Sequence, residues 1–326
     1  MQALSQQAVL AYLQTPAPTC ILFHAHPDAD AIGSAFALKL ILEQLGSPAY
    51  CLCADEIPDR LRFLTEGMQH SVLLSSLPCG FENARVITVD SASPSQLGEL
   101  YEHFGDKISL MIDHHAKGEP YADHLVVADA AATGEIIYDL AAEAGLDCST
   151  RFAELLYAAI SADTGCFRYA NTTAGTHLRV AALVKSGIDT ARINHLLLET
   201  KSKQMLAAEH AAFEQLRFYA DGRVATVCFP YALKTELGLR DEHLETLVDV
   251  ARRVQGVEIA VAIRQPSEEQ IFRVSTRSSV NFDVSAVCAE FGGGGHVRAA
   301  GATVCGAQSI EQAEELVVNA ILQRLN

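Results

Sequence analysis

The chain has 326 residues, 49% hydrophobic and 20% charged, the composition of a globular protein long enough for two domains with separate cores. Its formal charge of −16, from 40 Asp and Glu against 24 Lys and Arg, argues against a broad basic face for long nucleic acids. No apolar run of about 18 residues appears, so no membrane span is expected.

Taken in order, Met1 to Leu13 lacks a basic n-region and reads as an amphipathic helix, not a signal peptide. Residues 1 to about 189 then alternate strand-like and helix-like patterns. The strands are expected at Thr19–Phe23, Ala49–Cys53, Val72–Leu74, Arg85–Val89, Lys107–Ile112 and Leu125–Val127. The helices are expected at Ala31–Leu45, Thr133–Ala144, Ser149–Ser161 and Ala174–Ser186. This alternation implies a mostly parallel sheet covered by helices. Residues 190–218 read as a helical connector, Ile188–Glu199 and Ser202–Leu216. From 219 to 326 a smaller α/β pattern follows: strands Val224–Phe229, Val257–Ile263, Ile271–Thr276 and Ala302–Cys305, with helices Leu244–Arg253, Val284–Phe291 and Ile310–Leu325. The fold class is therefore α/β, two domains flanking a cleft. Nine scattered cysteines with no second close pair beside Cys51 and Cys53 read as buried free thiols in a reducing cytoplasm.

Chemistry gathers where apolar runs end. The run Cys20–Phe23 leads into His24-Ala25-His26-Pro27-Asp28-Ala29-Asp30, a polar turn before a helix. Arg85–Val89 ends in Asp90, and Ile108–Ile112 ends in Asp113-His114-His115. The helical stretch Leu155–Ile160 leads to Asp163-Thr164-Gly165. In open α/β sheets ligands bind at the carboxyl ends of strands. Carboxylates with imidazoles suit a divalent cation such as Mn²⁺, Mg²⁺ or Zn²⁺. Taken singly, each such end reads equally well as turn chemistry. Thr133 reads as a helix N-cap. His26 reads as a turn residue, and Arg168 as an exposed loop cation. The isolated histidines elsewhere carry no expectation of function. Gly292 to Gly295, followed by His296 and Arg298, could bring backbone N–H groups and two further donors to an anion.

Together, HAHPDAD, the Asp90 strand end, DHH at 113–115, DTG at 163–165 and Phe291–Gly301 resemble DHH-family phosphoesterases with their C-terminal DHH-associated domain. The resemblance covers the whole chain. It implies two divalent cations, Mn²⁺ ahead of Mg²⁺ or Co²⁺. One would be held by His24, Asp28 and Asp90, the other by Asp30, Asp90, His114 and Asp163. It implies that His115 meets the scissile phosphate and that Asp113 orients a histidine. It makes Arg277, Ser278, Gly293, Gly294, Gly295, His296 and Arg298 substrate-binding residues. Within the family the likeness is to stand-alone nanoRNases that also act as phosphoadenosine phosphate (pAp) phosphatases. The alternative is a phosphodiesterase for cyclic or linear dinucleotides such as c-di-AMP, pApA or pGpG. A short RNA, dinucleotide or nucleotide is the expected partner, with no long nucleic acid and no membrane; a homodimer is held open.

Overall fold

The structure is a computed structural model and describes residues 1–71 and 77–325, so the strand expected at Val72–Leu74 lies outside the described residues. The chain forms two compact units, Met1–Thr200 and Lys201–Asn326.

In the first unit the helices are α1 (Gln6–Gln14), α2 (Ala29–Gln44), α3 (Glu99–Phe104), α4 (Thr133–Glu143), α5 (Thr150–Asp163), α6 (Ala174–Val184) and α7 (Thr190–Asn194). The strands are β1 (Thr19–Phe23), β2 (Ala49–Leu52), the two-residue β3 (His70–Ser71), β4 (Arg85–Val89), β5 (Ile108–Asp113) and β6 (Asp123–Val126). They lie in the order β3-β2-β1-β4-β5-β6, and the neighbours pair in parallel. All five residues of β1 are buried, because helices cover both faces. Ile21 and Phe23 point into the larger core with α1, α2, α4 and α5; Cys20 and Leu22 point into the smaller one with α3. This explains the unbroken apolar runs in the sequence. Helices α2 and α5 pack very closely: a Cβ on Gly33 would lie 2.5 Å from the Leu155 carbonyl oxygen, so only glycine fits there.

The second unit holds helices α8 (Lys203–Glu214), α9 (Tyr231–Glu236), α10 (Leu247–Arg252), α11 (Val284–Ala289) and α12 (Ile310–Leu322). Its strands are β7 (Leu216–Tyr219), β8 (Val224–Phe229), β9 (Ile259–Arg264), β10 (Ile271–Ser278), β11 (Gly294–His296) and β12 (Ala299–Cys305). Their order is β11-β12-β10-β9-β8-β7; β8 and β9 run parallel and the other neighbours antiparallel. Helices α11 and α12 share a core with one face of the sheet, and α8 and α10 with the other. Of the residues read as a connector, α7 and a following π-turn (His195–Glu199) belong to the first unit and α8 to the second.

Candidate metal centre

The strand order of the first unit reverses between β1 and β4, which pair directly. Loops leaving two such strands diverge and open a crevice at their carboxyl ends. His24 follows β1, Asp90 follows β4, and His114 follows β5. Asp28 caps α2, its Oδ1 accepting from the backbone N–H of Asp30 and Ala31, both at 3.0 Å. Asp30 sits in the first turn of α2, and Asp163 is the last residue of α5.

These six side chains come together. His24 Nε2 lies 3.8 Å from Asp28 Oδ1 and 3.5 Å from Asp90 Oδ2. His114 Nε2 lies 3.8 Å from Asp30 Oδ2, 3.7 Å from Asp90 Oδ1 and 3.3 Å from Asp163 Oδ2. Most of these separations are too long for hydrogen bonds. They suit donors around a shared cation: ligands about 2.1 Å from one ion stand roughly 3–3.6 Å apart. Two groups of donors, His24-Asp28-Asp90 and Asp30-Asp90-His114, share Asp90. The imidazoles are prepared for such a role. His24 Nδ1 is 2.8 Å from the Ala25 carbonyl oxygen and His114 Nδ1 is 3.2 Å from that of Ala130. Each carbonyl holds a proton on Nδ1 and turns the Nε2 lone pair toward the carboxylates.

Burial sharpens the case. Asp30 is 0% exposed and Asp90 2%. Burial, then the charges of Asp90 and Asp163, push the Asp30 carboxyl well above its usual range. Burial and neighbouring carboxylates likewise raise Asp163. Asp90 goes the other way, since His24, His115 and His114 outweigh its burial. Burial disfavours the charged ring of His114, but Asp163, Asp30 and Asp90 overcome this and raise it to about 11. So many buried carboxylates are mutually repulsive without cations among them. The donor set therefore fits divalent metal ions.

The sign of the pH dependence follows. Near pH 7 the metal-free chain keeps protons on groups raised above that pH, whereas a cation takes the neutral ring and the bare carboxylate. Loading must release protons, and affinity must rise with pH. Calorimetry of Mn²⁺ binding in buffers of different ionisation enthalpy is expected to show proton release, with weaker binding at about pH 6 than at about pH 8. A heat independent of buffer would contradict this electrostatic picture.

The surrounding groups explain the geometry. Thr133 is not the N-cap: the cap position is Ala132, which offers no side-chain bond. Instead Asp30 reaches across from α2 and accepts the N–H groups of Thr133 at 2.7 Å and Gly134 at 3.0 Å, which a helix start leaves unpaired. This frees the Thr133 hydroxyl to donate to Asp90 Oδ1 at 2.9 Å. Asp113 Oδ1 accepts from His114 N at 2.7 Å, His115 N at 3.1 Å and His115 Nδ1 at 2.7 Å. Asp113 thus orients His115, whose Nδ1 is also 3.8 Å from Asp90 Oδ1. His26 turns away to Asp55, 2.7 Å from its Nδ1, and its ring stays largely exposed.

In the second unit, Arg277 of β10 and His296 of β11 both stand opposite Ala299 of β12. Opposed residues share a sheet face, so a guanidinium and an imidazole flank one small residue. Ser278 points to the other face, and its hydroxyl donates to the Val280 carbonyl oxygen at 2.9 Å. Arg298 is exposed in the β11–β12 turn, its carbonyl oxygen accepting from Ser278 N at 2.9 Å. Of the glycine run, Gly294 and Gly295 are strand, and Gly292 and Gly293 lie in the turn that leads into it. A Cβ on Gly293 would come within 2.1 Å of the Gly301 carbonyl oxygen, and one on Gly295 within 2.6 Å of that of Ala299. Close strand contact alone requires glycine at these two positions.

The doubly wound sheet and its carboxylate–imidazole cluster define a protein built to hold divalent metal at a strand switch point. The chain belongs to the DHH family: residues 18–160 match the DHH family N-terminal domain, and residues 224–323 match the DHHA1 domain. It is a hydrolase of phosphoester bonds. It is 33% identical to a Thermus thermophilus protein named bifunctional oligoribonuclease and PAP phosphatase NrnA, over 94% of this chain and 90% of that one. A Bacillus subtilis protein of the same name is 26% identical, over 87% and 89%. The crystal structure of an exopolyphosphatase-related protein from Bacteroides fragilis superposes with a TM-score of 0.86 at 22% identity, covering 97% of this chain and 96% of that one, and so shares the fold.

Proposed function

We propose that this chain hydrolyses short oligoribonucleotides to mononucleotides and also removes phosphate from pAp, with two divalent cations, Mn²⁺ foremost. The observation that carries the reading is the pair of donor groups joined at Asp90. One cation position comprises His24, Asp28 and Asp90; the other comprises Asp30, Asp90, His114 and Asp163. Bound there, the cations supply charge neutralisation of a phosphoryl group and a more acidic water. The chain's own groups do the rest. Thr133 fixes which oxygen of Asp90 faces each position. His115, held by Asp113, protonates the leaving oxygen. In the second unit, Arg277 and His296, with Gly293, Gly294, Gly295 and Arg298 around them, supply the substrate-binding groups, while the Ser278 hydroxyl faces the other side of the sheet. The activity named for the relatives is consistent with this reading. All nine cysteines are free thiols, which supports a place in the reducing cytoplasm; among the described residues no helix is long and apolar enough to cross a membrane.

The substrate should be short. Beyond the groups just named, each added phosphate meets a chain with 40 acidic against 24 basic residues, and no Trp offers a stacking platform. With Mn²⁺ at fixed salt, kcat/KM for a 5′-phosphorylated dinucleotide is expected to exceed that for a 24-mer of the same base, with pAp and a cyclic dinucleotide as further arms. Equal or higher efficiency on the 24-mer would refute the short-substrate reading. Preference for the cyclic dinucleotide would move the reading to a signalling phosphodiesterase.

A further inference from the structure

Asp163 closes α5, and the chain then turns sharply. Gly165, Cys166 and Phe167 have φ of 55°, 58° and 63°, consecutive left-handed residues of which two are not glycine. Such a backbone persists only where its surroundings hold it. Here they do. The Thr164 hydroxyl donates to the Ile160 carbonyl oxygen at 2.6 Å and accepts from Phe167 N at 3.1 Å. The Thr164 carbonyl oxygen accepts from Arg168 N at 2.9 Å and Tyr169 N at 3.0 Å. The Phe167 ring lies against Tyr157, centroids 5.9 Å apart, and His177, 5.7 Å.

The turn brings Asn171 back over the helix end. Its Nδ2 donates to the Asp163 carbonyl oxygen at 3.1 Å and to the Ala131 carbonyl oxygen at 3.1 Å. Ala131 is in the loop before α4, and its neighbour Ala130 supplies the carbonyl oxygen that orients His114. One amide group therefore ties the backbone that carries Asp163 to the backbone that aims His114, and these two side chains meet at 3.3 Å. We propose that Asn171 is a positioning residue that holds Asp163 and His114 together at the second cation position. This rests on the two-cation reading above. Asn171 touches no ligand atom; it acts on the two peptides behind them. The position formed by His24, Asp28 and Asp90 takes no support from it.

The test is a calorimetric titration of the metal-stripped full chain with Mn²⁺, alongside thermal melting. The wild type is expected to bind two Mn²⁺. Asn171→Ala is expected to weaken one of the two by about 10–100-fold and leave the other unchanged. Its kcat is expected to recover at high Mn²⁺ while the half-saturating Mn²⁺ rises. Asn171→Asp keeps the volume but removes both donors, so it should behave alike, and it carries the test if Asn171→Ala fails to fold. Phe167→Leu loosens the packing without touching the bridge; it should lower Tm and spare both affinities. Two wild-type affinities in Asn171→Ala, or an equal fall at both positions, would overturn the proposal. A wild type that binds fewer than two Mn²⁺ would instead overturn the two-cation reading on which it stands.

Discussion

Asp90→Ala is expected to lower kcat by about 10³-fold or more while the fold survives. Asp90 is the residue common to both donor groups, and its two oxygens face different imidazoles, Oδ2 toward His24 and Oδ1 toward His114. Asp30 cannot take its place, because both of its oxygens are already held by the start of α4. The fold should survive because Asp90 lies beyond the end of β4: its removal forfeits the attraction of His24, His115 and His114, relieves the push on Asp30, and leaves the apolar cores of β1, β4 and β5 untouched. Asp90→Asn is the sharper variant. It keeps an acceptor for Thr133 and the side-chain volume, and loses only the charge. The measurements are kcat in saturating Mn²⁺, bound metal and Tm. Near-wild-type turnover in metal-replete Asp90→Ala would sink the shared-ligand assignment.

The second large effect is expected at His115. His115→Ala should reduce kcat by about 10²–10⁴-fold without loss of bound metal. Its Nδ1 is engaged by Asp113 Oδ1 at 2.7 Å, which fixes the ring. Burial disfavours the imidazolium, but the hydrogen bond to Asp113 and the charge of Asp90 prevail and raise its pKa. The shift favours the protonated ring, which can give its proton to a poor leaving group such as a ribose oxygen. A p-nitrophenyl ester of the same nucleotide leaves without that help, so the variant's deficit should shrink on it. An equal deficit on both esters would remove the acid role. Loss of a cation in His115→Ala would make the residue a ligand, since Asp90, Asp113 and His115 also place donor atoms together.

The buried parts of this protein were legible because they repeat one device, an apolar run that ends abruptly in polar residues. Strands β1, β4 and β8 fall where the apolar runs place them. Short elements lack the length for a period to show, which is why α3, α9 and β3 were not anticipated. Strand β7 lies exposed at a sheet edge, so its charged and aromatic residues carry no core signal. Strand β11 is built largely of glycine, which offers no side-chain pattern at all. The cluster was legible because its residues gather where elements end, and the resemblance to DHH-family phosphoesterases picked the six candidate ligands among them. The groups that aim them were not legible. Thr133 obeys a contact with Asp90 instead of the local capping rule, and Asn171 works through two carbonyl oxygens that any residues could provide.

The close contact between α2 and α5 has a kinetic consequence. The helix that packs on Gly33 and covers α2 is the helix that ends in Asp163, with Leu183, Ile188, Ile193 and Leu197 joining the same core after it. On a ribosome, the stretch from His24 to Asp163 takes roughly 7–28 s to emerge at ordinary elongation rates. Through that interval the nascent chain carries an open apolar face on α2 and an incomplete set of ligands. Docking of α5 ends both conditions in one step, so the first unit cannot finish its core without also finishing its cation site. Excess divalent metal should therefore speed the last stage of refolding rather than the first.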